Sequence, residues 1–168
     1  MRTVVDEANA RRMRRESQRR WTWFAVVAVA AFLADQLTKV VVRASLAPGE
    51  QVDVVPGFDL VRARNEGIAF GLFPGKTGAV AALTVVALVV IAFALLRLAR
   101  RSMMAAVGGG LLIGGSIGNL VDRLANDGVT DFIDVSAWPA FNVADMAIMA
   151  GAALVAIGLL RVQPGEKG

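Results

Sequence analysis

The sequence predicts an all-α polytopic membrane protein, with four transmembrane helices and a small β-sheet on the outer membrane surface. Three observations support this prediction. Hydrophobic residues make up 56% of the 168-residue chain and charged residues only 19%, which is too apolar for an ordinary soluble domain. Four apolar segments approach the roughly 20 residues that a helix needs to cross the bilayer core. Basic residues flank these segments asymmetrically, and the positive-inside rule assigns the side with the basic head, turn and tail to the cytoplasm.

The four apolar segments define the domain organisation. They lie at 21–42, 78–98, 103–121 and 141–160. The basic flanks on one side are an arginine-rich head at 2–20, a turn at 97–101 and a tail at 161–167. Both termini are therefore expected in the cytoplasm, with outer loops at 43–77 and 122–140. We divide the chain into a basic extension (1–20), one membrane domain (21–161) and a short tail (162–168).

The arginine-rich head accounts for most of the net charge of +4. Its place directly before an apolar segment favours an anchor facing anionic lipid over a nucleic-acid surface. The apolar segment that follows is longer than the core of a signal peptide and contains Asp35 and Lys39, so we expect it to be retained. These two residues stand four apart on one helix face, where an ion pair would satisfy both. We favour this structural role over direct catalysis.

The first outer loop has the pattern of a β-hairpin. Apolar residues such as Val52, Val54, Phe58 and Leu60 bracket a Pro56-Gly57 turn. An irregular loop is the alternative. The chain then reaches Asn-Glu-Gly-Ile-Ala-Phe-Gly at 65–71, where two glycines and an asparagine predict a shaped turn that leads back into the membrane.

Glycine recurs every four residues in the third apolar segment, at Gly110, Gly114 and Gly118. Small residues at this spacing let membrane helices approach closely, and Asp122 continues the same helix face. These glycines do not fit the dinucleotide-binding fingerprint in register. We therefore interpret them as packing residues that bring Asp122 towards a neighbouring helix.

Two carboxylates near the outer boundary are the candidate catalytic pair. Asp122 closes the third segment, and Asp145 is expected about one turn inside the fourth. Antiparallel neighbouring helices would bring them to a similar depth. Two adjacent carboxyls share one proton, which is the state an aspartic protease uses. Asn119 and Asn142 each precede an aspartate by three residues and would add an amide to the same site.

Other roles for these acids stay open. Asp122 could form a helix-end ion pair with Arg123. In the last outer loop, Asp127, Asp131 and Asp134 are expected to be solvated or to cap helices. The chain contains no cysteine or histidine, which excludes thiol nucleophiles, histidine-based triads and most transition-metal sites. Ser116 then lacks a suitable base and is a poor nucleophile candidate. We expect no metal and no organic cofactor.

Five sequence blocks in order resemble the lipoprotein signal peptidase family, also called signal peptidase II. They are Asp-Gln-Leu-Thr-Lys at 35–39, the segment 65–71 quoted above, Gly-Gly-Ser-Ile-Gly-Asn-Leu-Val-Asp-Arg at 114–123, Val-Thr-Asp-Phe at 129–132 and Phe-Asn-Val-Ala-Asp at 141–145. The resemblance implies four transmembrane helices with an extracytoplasmic β-cradle in the bacterial inner membrane. It implies cleavage of diacylglyceryl-modified prolipoproteins just before the lipidated cysteine.

The same resemblance implies roles for individual residues. Asp122 and Asp145 would form the catalytic dyad. Positions that support the site or bind substrate would be Asp35, Lys39, Asn65, Gly67, Asn119, Arg123 and Asn142. Membrane lipid and the prolipoprotein are the expected partners, the enzyme is expected to be a monomer, and no nucleic acid is expected.

Two rival hypotheses come from other functional classes. In a proton-coupled transporter, Asp35, Asp122 and Asp145 would be relay carboxylates. Relay groups usually line a path across the bilayer, whereas these three cluster towards one face. A non-catalytic membrane scaffold is the other rival, and it predicts that replacing Asp145 by asparagine would be harmless.

Overall fold

The structure, a computed structural model, describes residues 2–66, 85–86, 89–90, 102–135 and 138–161. Three helices and four strands lie in these ranges. The helices are α1 (Arg2–Ser45), α2 (Met103–Asn126) and α3 (Val143–Arg161), and the strands are β1 (Gln51–Val55), β2 (Phe58–Asn65), β3 (Val129–Val135) and β4 (Trp138–Phe141).

All three helices contain a stretch long and apolar enough to cross a membrane. They correspond to the first, third and fourth predicted segments. Most of the predicted second segment, 78–98, lies outside the described residues, as does Gly67; the described pairs 85–86 and 89–90 are helical. The described chain is thus a membrane protein with three long apolar helices and a small antiparallel sheet.

Helix α1 runs through the arginine-rich head and the first apolar segment without a break. The sequence places a boundary at residue 20 because hydropathy changes there, but the backbone continues. Arginine, glutamate and alanine are good helix formers, and ion pairs one turn apart, such as Arg12 with Glu16 at 3.2 Å, add support.

Helix α2 packs against both α1 and α3, and the glycine spacing explains how. A Cβ atom on Gly110 would lie 2.6 Å from the Phe24 carbonyl oxygen of α1, and one on Gly118 would lie 2.5 Å from a carboxylate oxygen of Asp35. The predicted glycine face therefore packs against α1. Gly115 serves the other neighbour, since its Cβ would lie 2.5 Å from the Ala144 carbonyl oxygen of α3.

The four strands form one antiparallel sheet in the order β1-β2-β3-β4. The predicted hairpin is confirmed: Pro56 and Gly57 connect β1 to β2, and Gly57 has the positive φ of 83° that the third position of a type II turn requires. Strands β3 and β4 arise from the segment predicted as the second outer loop. They place the sheet at the end of α2 and at the start of α3, where the candidate site lies.

Candidate active site

The α1 contribution is a row of three side chains, Asp35, Lys39 and Arg43, spaced one turn apart. Asp35 and Lys39 are both fully buried, and Lys39 Nζ lies 2.8 Å from Asp35 Oδ2. This confirms the predicted ion pair. Asp35 also accepts a hydrogen bond of 2.9 Å from the backbone N–H of Ala144 in the first turn of α3, so it ties α1 to the start of that helix.

Asp122 completes a cluster of four charges with that row. Its carboxylate lies 3.3 Å from Lys39 Nζ and 3.2 Å from Arg43 Nη1. The backbone N–H of Thr130 donates to the same carboxylate at 3.0 Å. We call Asp35, Lys39, Arg43 and Asp122 the cation-bound cluster. Two carboxylates and two cations compensate one another there, which is the condition for burying charge without a large desolvation cost.

Asp145 lies in the first turn of α3, slightly nearer the helix start than the sequence suggested. Asn142 precedes the helix, and its Oδ1 accepts the Asp145 N–H at 3.0 Å. Asp145 Oδ2 accepts the Asn142 N–H at 3.2 Å in return. This reciprocal pair is a capping box. It fixes the carboxylate of Asp145 at the start of the helix, where the helix dipole favours negative charge.

Asp131 on β3 is the residue whose environment the sequence mispredicted. It was expected to be solvated or to cap a helix, but it is 3% exposed. Its Oδ1 accepts the side-chain amide of Asn142 at 2.6 Å, and its Oδ2 accepts that of Asn65 at 3.0 Å. The alternation of β-branched and aromatic residues at 129–135 was the available signal for a strand, and a strand points every second side chain inwards.

Amide groups also hold Asp145 on its second side. Asn119 Nδ2 donates to Asp145 Oδ1 at 2.8 Å. Asn119 Oδ1 in turn accepts Lys39 Nζ at 2.9 Å. Because an ammonium group only donates, Lys39 fixes the orientation of this amide and directs its N–H towards Asp145. We call Asn65, Asn119, Asp131, Asn142 and Asp145 the amide-bound cluster.

The surroundings of Asp131 raise its pKa to about 6. Burial is the main cause, because it disfavours the charged form. The hydrogen bond from Asn65 lowers the pKa, and the negative charge of Asp145 raises it. The hydrogen bond from Asn142 and the positive charge of Lys39 also lower the pKa. The effect of Asp145 means that the two carboxyls influence each other's ionisation.

The sequence-predicted residues are thus brought to one place, but in two groups. In the described part of the chain, Asp122 makes no direct hydrogen bond with Asp145; its partners include the two α1 cations. Arg123 donates to the Asn119 carbonyl oxygen at 3.3 Å, and its charge is felt by Asp145, Asp131 and Asp122. Sequence reasoning missed Asp131, Arg43 and Thr130 as members of these groups.

The model of the family described as signal peptidase (SPase) II matches residues 27–161. The chain belongs to the signal peptidase II family. Membership of this family identifies the chain as a peptidase. The bacterial relatives and the long apolar helices indicate a multi-pass protein of the bacterial inner membrane. The match begins within α1, so the arginine-rich head lies outside it.

Individual signal peptidase II proteins match most of the chain. A lipoprotein signal peptidase of Pelotomaculum thermopropionicum is 41% identical over 138 residues, covering 82% of this chain and 90% of that protein. One of Gloeobacter violaceus is 43% identical over 145 residues, covering 83% and 82%. The solved structure of a bacterial membrane enzyme, obtained by the in meso method, superposes with a TM-score of 0.73 at 28% identity, covering 86% of this chain and 91% of that one. None of these supports the transporter hypothesis.

Proposed function

We propose that the chain is an intramembrane aspartic endopeptidase that removes the signal peptide from diacylglyceryl-modified prolipoproteins, cutting just before the lipidated cysteine. The substrate class follows from the relatives, which are lipoprotein signal peptidases. The aspartic mechanism rests on the buried carboxyls of the amide-bound cluster. The chain has no histidine or cysteine, so carboxyl groups are the available acids and bases near pH 7.

The contacts favour Asp131 and Asp145 as the catalytic pair, in place of the Asp122 and Asp145 pair that the sequence suggested. One observation carries this choice. Asn142 holds both carboxyls at once, with its side-chain amide 2.6 Å from Asp131 and its backbone N–H 3.2 Å from Asp145. A single residue therefore sets the spacing of the two acids.

Asp122 is less suited to the chemistry. An aspartic protease needs one carboxyl that keeps a proton and one that can accept a proton. Lys39 and Arg43 lie within 3.3 Å of Asp122, and the Thr130 N–H also donates to it, so both oxygens of this carboxylate are already engaged. We assign Asp122 a supporting role. Its carboxylate balances the charges of Lys39 and Arg43 and accepts a hydrogen bond from the N–H of Thr130, the residue before Asp131.

The reaction follows from a pair that shares one proton. The ionised carboxyl takes a proton from a water molecule as the water oxygen attacks the peptide carbonyl carbon. The protonated carboxyl donates its proton to the carbonyl oxygen, which gives a tetrahedral diol. Collapse of the diol breaks the C–N bond, and the pair delivers a proton to the departing nitrogen. No covalent intermediate forms, and the two carboxyls titrate as one coupled unit.

The membrane arrangement is part of the proposal. Residues 78–98 would provide the fourth span, both termini would lie in the cytoplasm, and the catalytic pair would lie near the outer face, where water can enter. The substrate's signal helix would lie in the lipid beside the enzyme, and Asn65, Gly67 and Arg123 would contact it. The enzyme would act as a monomer.

Three single substitutions, Asp131→Asn, Asp145→Asn and Asp122→Asn, test the mechanism. Purified variants are incubated with a diacylglyceryl-modified prolipoprotein, and the shortened product is measured together with the thermal unfolding midpoint. The unmodified prolipoprotein is the control substrate. We expect Asp131→Asn and Asp145→Asn to lose about 10²–10⁴-fold in cleavage rate while the unfolding midpoint changes little. Asp122→Asn should lower the midpoint, and its folded fraction should lose less activity.

The opposite pattern would restore the pair suggested by the sequence. If Asp122→Asn abolishes cleavage at an unchanged midpoint while Asp131→Asn still cleaves, then Asp122 is the partner of Asp145. Normal cleavage by Asp145→Asn would exclude an aspartic mechanism with either partner.

A further inference from the structure

A cavity of about 290 Å³ lies between the end of α1 and the β2–β3 pair, and three arginines line it. They are Arg43, Arg62 and Arg64, joined by the polar residues Asn126 and Thr130. None of the residues lining the cavity is acidic. The volume is at the lower end of the range for small-ligand sites, so it suits a small ligand or a single headgroup.

The cavity lies on the opposite side of the sheet from Asp131. In the β2–β3 register, Arg64 pairs with Thr130, while Ala63 pairs with Asp131. Cross-strand partners point to the same face and neighbours along a strand point to opposite faces. Strand β3 therefore presents Asp131 to the amide-bound cluster and Thr130 to the arginines. The cavity is therefore distinct from the Asp131–Asp145 pair, although Arg43 belongs both to its lining and to the cation-bound cluster.

Among the described residues, only Asp122 and the exposed Glu66 form ion pairs with these arginines. Arg43 Nη1 contacts Asp122, which already serves Lys39. Arg62 Nη1 donates to the carbonyl oxygens of Arg43 and Leu46 at 3.0 and 2.8 Å, which terminates α1 but supplies no negative charge. Each guanidinium has five N–H donors, and the described bonds of Arg62 use only its Nη1.

Two neighbouring residues fix the side chain of Arg64, which lines the cavity. Its Nη2 donates to the Asp127 carbonyl oxygen at 3.0 Å, and its Nε lies 3.6 Å from Glu66, an exposed partner. Gly128 makes room for this side chain, since a Cβ there would lie 3.0 Å from Arg64 Cγ. Arg64 thus lines the same cavity as Arg43 and Arg62.

We propose that this cavity binds a phosphate group. Planar guanidinium groups match phosphate oxygens in pairs, and Thr130 and Asn126 add neutral donors. The cavity lies where α1 and α2 end, which is the level of lipid headgroups. The phosphate could therefore belong to an anionic phospholipid or be inorganic phosphate. The site does not depend on the peptidase proposal.

The test uses the full chain in nanodiscs and follows the thermal unfolding midpoint. In one arm, inorganic phosphate is titrated into phosphatidylcholine discs at constant ionic strength, with chloride as the reference. In the other arm, phosphatidylglycerol replaces part of the phosphatidylcholine. We expect a saturable rise of the midpoint in at least one arm. Arg64→Gln, at an exposed position, should weaken the response about tenfold, and Arg62→Lys, which keeps the charge but loses the fork, should weaken it as well.

Arg161→Gln is the matched control, because it removes the same charge at the distant end of α3 and should respond like the unchanged protein. A rise with phosphate alone identifies a soluble phosphate ligand. A rise only with phosphatidylglycerol identifies a lipid headgroup at this cavity where Arg64→Gln weakens it, because the arginine-rich head also faces anionic lipid. No rise in either arm refutes the proposal. The proposal is wrong if the midpoint follows ionic strength alone, or if Arg64→Gln and Arg62→Lys both respond as fully as Arg161→Gln.

Discussion

Two clusters of carboxylates lie side by side at one end of the helices, and they bury charge in different ways. In the cation-bound cluster, Lys39 and Arg43 compensate Asp35 and Asp122. In the amide-bound cluster, Asp131 and Asp145 are held by neutral amides. The first arrangement pairs its acids with cations, which links α1 to α2. The second leaves room for a proton to move, so it suits catalysis.

The difference also shows how one cluster supports the other. Lys39 contacts Asp35, Asp122 and the Asn119 side chain. The contact with Lys39 orients the Asn119 amide, whose Nδ2 donates to Asp145. Asp35 reaches the same helix start through Ala144. The cation-bound cluster therefore positions α3 and its aspartate, and in the proposed mechanism it does not supply the reacting acids.

Replacing Lys39 by methionine should have the largest effect on stability. Among the described residues, the change leaves Asp35 buried without its ion-pair partner and Asp122 with Arg43 alone. Removing one partner from a buried ion pair typically costs about 3–5 kcal/mol. We expect a loss of that size in the free energy of unfolding, measured by denaturation in detergent micelles.

Two variants show whether this loss belongs to the cluster. Arg11→Met removes a cation whose pair with Glu7 is exposed, with side-chain exposures of 78% and 73%, and should cause no measurable change. Asp145→Asn keeps an oxygen acceptor in the capping box and should cost far less stability than Lys39→Met while abolishing cleavage. A Lys39→Met protein as stable as the unchanged chain would contradict the division into two clusters.

The amide-bound cluster should reveal itself in the pH dependence of stability. Because the pKa of Asp131 is raised to about 6 in the folded protein, the folded state binds this proton more tightly than the unfolded state. The contribution of Asp131 to stability should therefore fall as pH rises from about 4 to about 6 and then stay constant, by about 3 kcal/mol in all.

The measurement is the difference between the unchanged protein and Asp131→Asn, because other carboxyls also contribute to the total pH dependence. The stability of the unchanged protein relative to the variant should decrease across that pH window. A difference that is independent of pH, or that increases with pH, would mean that Asp131 is not a buried acid with a raised pKa.

Most of the fold that holds these clusters could be predicted from local sequence patterns. Apolar length predicted the segments that became α1, α2 and α3, and the Pro56-Gly57 turn predicted the hairpin. Glycine spacing predicted that α2 packs closely against a neighbouring helix. The Asp35–Lys39 ion pair followed from a spacing of four residues. Each of these features depends on residues within one helix or one turn, which is why the sequence alone was sufficient.

The division of the acids between the two clusters depends on contacts between distant segments. The sequence paired Asp122 with Asp145 because antiparallel neighbouring helices would bring both to a similar depth. It could not show that Arg43, 79 residues before Asp122, would contact that acid. It also treated Asp131 as part of a polar loop. Only the register of β3 against β2 brings Asn65 to Asp131, and that register is a property of the folded chain.

The smallest expected effect comes from removing one amide that contacts an acid of each cluster. The 3.0 Å hydrogen bond from Asn65 lowers the pKa of Asp131. Asn65→Ala removes this bond and should therefore raise that pKa. Since a hydrogen bond contributes roughly 1 kcal/mol, the upper end of the pH window should move upwards by up to about one pH unit, while the lower end, set by the unfolded state, stays near pH 4. Asn126→Ala removes a longer contact of 3.4 Å to Asp122, and Lys39 and Arg43 remain there, so the window should not move. Equal shifts in the two variants would show that the clusters respond alike, and that cations and amides do not hold their acids differently.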